Sequence, residues 1–244
     1  MKRILLAESI KMQWSIVCVL IIADVWINSV LGIMSLNDLQ EFFKPDWSTL
    51  YMHAVNFHSM FFYPLYCGIL ASLICLYEHR DGGWKFLLTL PLSRKNLYFA
   101  KFLLLIGILA LIQFIFLLGY LISGIVAGVP GTIAWPSVLY SVFGGWIGIL
   151  PLAALQMWIS TKIKSFGVAQ ILNVCCVVPN IVVTGLHSTI GAWFPFSPAY
   201  YIMMPQTATF APRVEPYSLF TIVLVTFLVY LLLGKRSFVR RDWI

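Results

Sequence analysis

Asp24 and Asn28 stand four residues apart inside a long apolar run, so on a helix they share one face. A carboxylate at that depth costs about 2.5–3.5 kcal/mol on insertion scales, and it must face protein or water rather than lipid. Two chemistries fit the pair. It lines a polar translocation path that attracts cations, or it bonds to neighbouring helices. Gln113, Gln156, Asn173 and Asn180 place amides in other apolar runs, where interhelical hydrogen bonding is the expected role. A second group lies in residues 78–101, EHRDGGWKFLLTLPLSRKNLYFAK. There Arg80, Lys85, Arg94, Lys95 and Lys101 are interleaved with Trp84, Phe86, Leu87, Leu88 and Leu90. Loops between bundle helices usually run to about 2–8 residues. A longer one that mixes cations with large apolar side chains is expected to dock into another protein, with Trp84, Phe86 and Leu88 as its anchors.

Other chemistries lack their residues. There is no GxxxxGK[ST] loop to cradle phosphates, no HExxH and no nucleophile elbow. His53 and His58 are five apart, a poor helical spacing for a shared metal, and they read as interfacial histidines near the outer face. His79 falls at the opposite face and His187 on the outer side. Cys18, Cys67, Cys75, Cys175 and Cys176 all sit in apolar runs with no zinc spacing, so packing is their expected role. The chain is expected to have no catalytic residues, no metal and no cofactor of its own.

The elements that must position these groups follow from composition. Of 244 residues, 61% are hydrophobic and 10% charged, with a mean hydropathy of +0.91. Soluble domains carry about 25% charged residues, so one all-α membrane domain over residues 1–244 is expected. Six runs are long enough to span about 30 Å of hydrocarbon as helices. They cover residues 13–33, 57–77, 102–127, 138–159, 168–186 and 219–234. No cleavable signal peptide is read at the start, where Met1, Lys2 and Arg3 lead into a long span.

Basic residues set the orientation. Fourteen of the 16 Lys and Arg fall before the first span, in the second and fourth connections, or after the sixth. Lys44 and Arg213 fall opposite. The positive-inside rule puts both termini in the cytoplasm. The net charge of +7 then reflects topology rather than nucleic-acid binding. On the outer side, residues 35–54 are expected to hold a short helix opened by Ser35, with Asp38 three residues on. Residues 128–136 read as a tight turn. Residues 187–217 carry Trp193, Phe194, Phe196, Tyr200 and Tyr201 among five prolines. That segment is either a re-entrant hairpin or an aromatic belt at the outer interface. Gly144 and Gly148 form a GxxxG ahead of Pro151, which predicts close helix packing and a kink.

This order of parts resembles the permease subunits of ABC type-2 exporters. The opening LLAESIKMQWS, with Glu8 and Lys11, resembles that of the lantibiotic-immunity and bacitracin-resistance branch. In WKFLLTLPLSRKNLYFAK, Pro91, Ser93, Arg94 and Lys101 match the family's turn after an apolar coupling helix. WFPFSPAYY resembles its Pro-aromatic segment before the last span. The resemblance implies a bacterial plasma-membrane half-transporter that pairs with itself or a sister permease. A separate cytoplasmic ABC ATPase dimer would supply ATP and Mg. Residues 1–12 would lie along the inner surface. ATP-driven motion would enter at 78–101, through Glu78, Arg80, Trp84, Phe86, Leu88 and Arg94. The implied cargo is an antimicrobial peptide; the alternatives are another amphipathic or lipid-linked compound, or a sensor subunit without transport.

Overall fold

The computed structural model describes residues 1–38, 45–80, 83–89, 91–185, 189–205 and 214–241, with side chains at all of these except 37, 38, 88 and 189. Among the described residues every regular element is helical. A short α1 (Lys2–Lys11) precedes α2 (Trp14–Asp38). Next come α3 (Trp47–Phe57), a π turn at His58–Phe62 and α4 (Tyr63–His79). The short α5 (Gly83–Thr89) leads to α6 (Arg94–Val126). Then follow α7 (Trp135–Gly148), α8 (Leu150–Lys162) and α9 (Phe166–Gly185). A 3-10 turn at Thr189–Trp193, α10 (Pro198–Met203) and α11 (Pro216–Arg240) complete the chain. Among the described residues, six helical stretches are long and apolar enough to cross a membrane. In hydrocarbon every backbone polar group needs a partner within the protein, which helices supply internally.

The second stretch departs from its expected start at 57 and runs from Trp47 to His79. Asp46 is the reason: its Oδ1 accepts the Thr49 amide at 2.7 Å and caps α3. The helix expected to open at Ser35 does not form. Ser35 lies inside α2, which continues to Asp38 with Leu36 buried beneath its last turn. Residues 39–44, with Glu41 and Lys44, lie outside the described residues. Within the second stretch, Pro64 removes the amide that a helix would aim at the Met60 carbonyl. Asn180 of α9 replaces it, donating from Nδ2 to Met60 O at 2.8 Å. Asn173 donates likewise to Leu65 O at 2.9 Å and accepts from Gln156 Nε2 at 3.0 Å. These amides join helices, as their positions in the sequence suggest.

The fourth stretch breaks at Ile149, between α7 and α8, where Pro151 lies in the first turn of α8. Its glycines receive α10. A Cβ on Gly148 would lie 3.0 Å from both Ala199 Cα and the Pro198 carbonyl oxygen. Every residue of α10 is buried, and Ser197 Oγ donates to Asn180 Oδ1 at 2.7 Å. Residues 194–204 therefore pack against the bundle, although Ile190 and Trp193 remain exposed. Residues 187, 188 and 206–213 of the expected hairpin lie outside the described residues. Gly148→Ala should destabilise the protein by about 1–3 kcal/mol, since backbone blocks the new methyl. Gly107→Ala, whose Cβ meets nothing within 4 Å, should not. Melting temperatures of the two purified variants check this, and equal values would refute the close approach.

The second and fourth stretches are the most enclosed, 72% and 61% buried, against 28% for the first and 22% for the fifth and sixth. Several contacts gather the chain ends. Arg94 Nη1 donates to the carbonyls of Val239 and Arg241 at 3.0 and 3.3 Å. Arg241 Nη1 donates to Thr161 O at 3.0 Å. With Lys11 of α1 beside Glu78, α1 and the end of α11 thus lie at the same end of the bundle as the second and fourth connections.

Candidate functional site

Four charged side chains from three elements close into a ring at that end. Glu8 on α1 and Glu78 on α4 each hold two ammonium groups. Lys11 Nζ donates to Glu8 Oε1 at 2.9 Å and to Glu78 Oε1 at 3.0 Å. Lys101 Nζ, on α6, pairs with Glu8 Oε2 at very short range and with Glu78 Oε2 at 2.9 Å. Lys101 also donates to Ile74 O at 2.9 Å. Its side chain is 1% exposed, and those of Glu8 and Glu78 are 3% and 4%. Two anions against two cations leave the ring neutral, the condition under which charges survive burial. It offers no nucleophile and no open ligand. It locks α1 to the ends of α4 and α6, so moving one of them means parting opposite charges.

Trp84 seats α5 on this ring. Its indole is 5% exposed and meets Phe238 edge-on at 5.3 Å. Lys101 Nζ lies 5.5 Å from the ring centroid, within cation–π range. The indole N–H donates to His79 Nδ1 at 3.1 Å. An indole can only donate, so the His79 proton is on Nε2, which donates to Ser160 O at 2.7 Å. Trp84 was expected to anchor in a partner's groove, and here its own bundle covers it, because Phe238, His79 and Lys101 together form the socket. Glu78 also faces inward, as a ring member. Phe86, on the same helix, is 72% exposed, and Arg80 is exposed. Arg94 is exposed but holds the carbonyls that end α11. The Leu88 side chain lies outside the described ones.

The second polar cluster is at Asp24. Both carboxylate oxygens lie 2.9–3.0 Å from His58 Nδ1. Asn28 Nδ2 donates to Asp24 Oδ1 at 2.9 Å and to its carbonyl at 2.7 Å. All three residues are at most 1% exposed. His58 opens the π turn, a feature frequent at functional sites. Its imidazole is stacked between Phe116 at 4.0 Å and Tyr63 at 5.2 Å. The expectation of an interfacial His58 is corrected: Asp46 starts the helix early enough to carry His58 inward, where Asp24 binds it. In this conformation the carboxylate bonds between helices and is closed off.

The sequence marks Asp24, Asn28, Glu8, Lys11, Glu78 and Lys101 and pairs Asp24 with Asn28, but it does not bring Glu8 and Lys11 together with Glu78 and Lys101. The available signal for the ring was the excess of acid and base at span ends, with Glu8 and Lys11 at i,i+3. His58 carried no such mark.

A family model described as ABC-2 family transporter protein matches residues 4–180. Neither a curated protein nor a solved structure matches the chain. The matched length includes α1, α5, the charge ring and the Asp24–His58 pair, and ends within α9. Six membrane-length helices and a family match over well over half of the sequence make the chain a member of the ABC-2 transporter family, whose proteins are membrane-spanning transport subunits.

Proposed function

We propose that this protein is the permease subunit of an ATP-driven exporter in a bacterial plasma membrane. It works as a pair with itself or a sister permease, and with two copies of a separate cytoplasmic ABC ATPase that brings ATP and Mg. The cargo is an antimicrobial peptide, expelled to protect the cell. The family match supports the transport role. The resemblance of the opening at Glu8 and Lys11 supports the peptide branch, and that at Pro91, Ser93, Arg94 and Lys101 supports the permease family. Positive charge at the end bearing α1 and the close of α11 supports its cytoplasmic placement.

The observation that carries the mechanism is α5 seated on the charge ring. Arg80, Phe86 and Leu88 meet the ATPase. Trp84 turns that contact into a push on the ring, and Glu8, Glu78 and Lys101 pass it to α1, α4 and α6. Arg94 keeps α11 in register with the same end. At mid-bundle the Asp24–His58 pair closes the polar path. Its opening exposes Asp24 and Asn28 to cationic cargo.

The two faces of α5 separate in a test. Phe86→Ala should lower the Mg-ATPase activity that copurifies with the permease by about tenfold or more, an interface anchor being worth about 2 kcal/mol. Its melting temperature should not change. Trp84→Ala removes a buried ring and should cost about 3–5 kcal/mol of stability. Absence of any copurifying Mg-ATPase with the wild-type permease would overturn the proposal.

A further inference from the structure

A groove of about 490 Å³ opens beside the ring, between α1, the end of α4, α5 and the start of α6. Its wall is mostly apolar, formed by Ile4, Phe86, Leu87, Leu92 and Leu97. Arg3, Ala7 and Lys11 line it along α1. These three are spaced by four and so form one stripe of the helix. Arg3 is exposed and has no acidic partner among the described residues. Lys11 has two of its three N–H donors on Glu8 and Glu78 and a side chain 32% exposed. One donor therefore remains for a ligand. The ring cancels the charge of both glutamates, which leaves the groove cationic at one edge and apolar within.

The depth of α1 follows from a different face. Leu6 and Ile10 are 62% and 82% exposed, and Trp14 is 42% exposed. The Trp14 indole donates back to Ser9 O at 2.8 Å, which holds the ring alongside α1. Leu6, Ile10 and Trp14 are spaced by four and so form one exposed stripe, with a tryptophan of the kind found at membrane interfaces. With that stripe in the interface, the mouth of the groove would lie at the level of lipid phosphates.

We propose that the groove holds an anionic phospholipid, with its phosphate between Arg3 and Lys11 and an acyl chain on Ile4, Leu87 and Leu97. Charge complementarity chooses this occupant over a zwitterionic lipid: basic pockets on a membrane's cytoplasmic side select anionic headgroups. The lipid fills the angle between α1 and α5 and braces the ring from outside.

Full-length protein equilibrated in detergent with equal amounts of dioleoyl phosphatidylglycerol and dioleoyl phosphatidylcholine, then analysed by native mass spectrometry, tests this. Wild type should retain phosphatidylglycerol in preference. Arg3→Gln should reduce that retention by about fivefold, the share of one basic residue near a surface. Ala7→Phe, which fills the groove, should remove the preference. Lys95→Gln, an equal loss of charge outside the groove, should leave it intact. No preference in wild type, or equal retention by Arg3→Gln, Ala7→Phe and wild type, overturns the proposal. Displacement by inorganic phosphate would mark a phosphate-ion site and overturn it too. So would Ala7→Phe losing the copurified ATPase at unchanged lipid retention, because the groove would then seat a protein.

Discussion

Lys101→Met should unfold or deplete the protein where most surface changes leave it untouched. The substitution keeps the length of the side chain and removes its charge. Glu8 and Glu78 then share Lys11 alone, with side chains that are 3% and 4% exposed. Breaking a buried ion pair from one side costs about 3–5 kcal/mol. For a chain of this size that is on the order of 10 °C in melting temperature, read by fluorescence-detected gel filtration after heating. Pairing the change with Glu8→Gln restores neutrality, since Glu78 and Lys11 remain together. The double variant should recover most of the lost stability, because buried ionic groups replaced as a set are often neutral in cost. It should still transport poorly, because α1 is no longer tied to α6. A single Lys101→Met variant that melts with the wild type would remove the ring from any account of this protein.

The ring matters because hydrophobicity does not hold helices together in lipid. Between spans the decisive terms are packing and polar bonds. This bundle places its polar bonds at separate levels. The ring ties α1, α4 and α6 at one end. Gln156, Asn173 and Asn180 tie α9 to the second and fourth stretches further along. Asp24 ties α2 to the π turn. A push on α5 meets the ring through Trp84, and α4 connects the ring directly to the π turn at its other end. The helices are continuous between those points, so a shift of α4 reaches His58 without passing through a loop. Spatial continuity is a route, and substitutions at its two ends measure the coupling.

The sequence made the six spans legible because apolar runs of membrane length have few alternatives. The gathering of basic residues at one end was legible for the same reason: Arg94, Lys101 and Arg241 all fall just beyond an apolar run. Helix ends were less legible. Asp46 caps a helix that hydropathy would begin at 57, and Ser35 sits inside a helix that it was expected to open. Both depend on which backbone amides lack a partner, which hydropathy does not report. The orientation of Trp84 was illegible too. An aromatic among cations fits a partner's groove as well as its own bundle. The choice rests on Phe238, more than 150 positions away in sequence, reaching back to meet it at 5.3 Å. Asp24 was visible as a costly residue, but its partner was not, because His58 is assigned by register across two helices and the π turn shifts that register by a residue.

Asp24→Leu and His58→Phe should each damage the protein, and together they should restore it. Alone, Asp24→Leu leaves the His58 Nδ1 without an acceptor in a site that is 0% exposed. An unsatisfied buried polar group costs about 1–3 kcal/mol, and more when it is charged. His58→Phe strands the Asp24 carboxylate with Asn28 as its remaining partner, and should be the worse of the two. The double variant removes donor and acceptor at once. Phe suits the slot, since the imidazole already stacks with Phe116 at 4.0 Å. Its melting temperature should return to within a few degrees of wild type, as expected when both partners of a buried bond become apolar. Peptide resistance then separates structure from transport. If the pair serves only to join α2 to the π turn, the double variant protects cells normally at normal abundance. If opening of the pair exposes Asp24 to cationic cargo, the double variant folds but does not protect. Asp24→Asn adds the control of charge alone, because an amide carbonyl still accepts from His58 Nδ1. Full protection by Asp24→Asn at wild-type abundance would end the electrostatic role, and loss of protection with the melting temperature kept would leave the carboxylate charge as the working part.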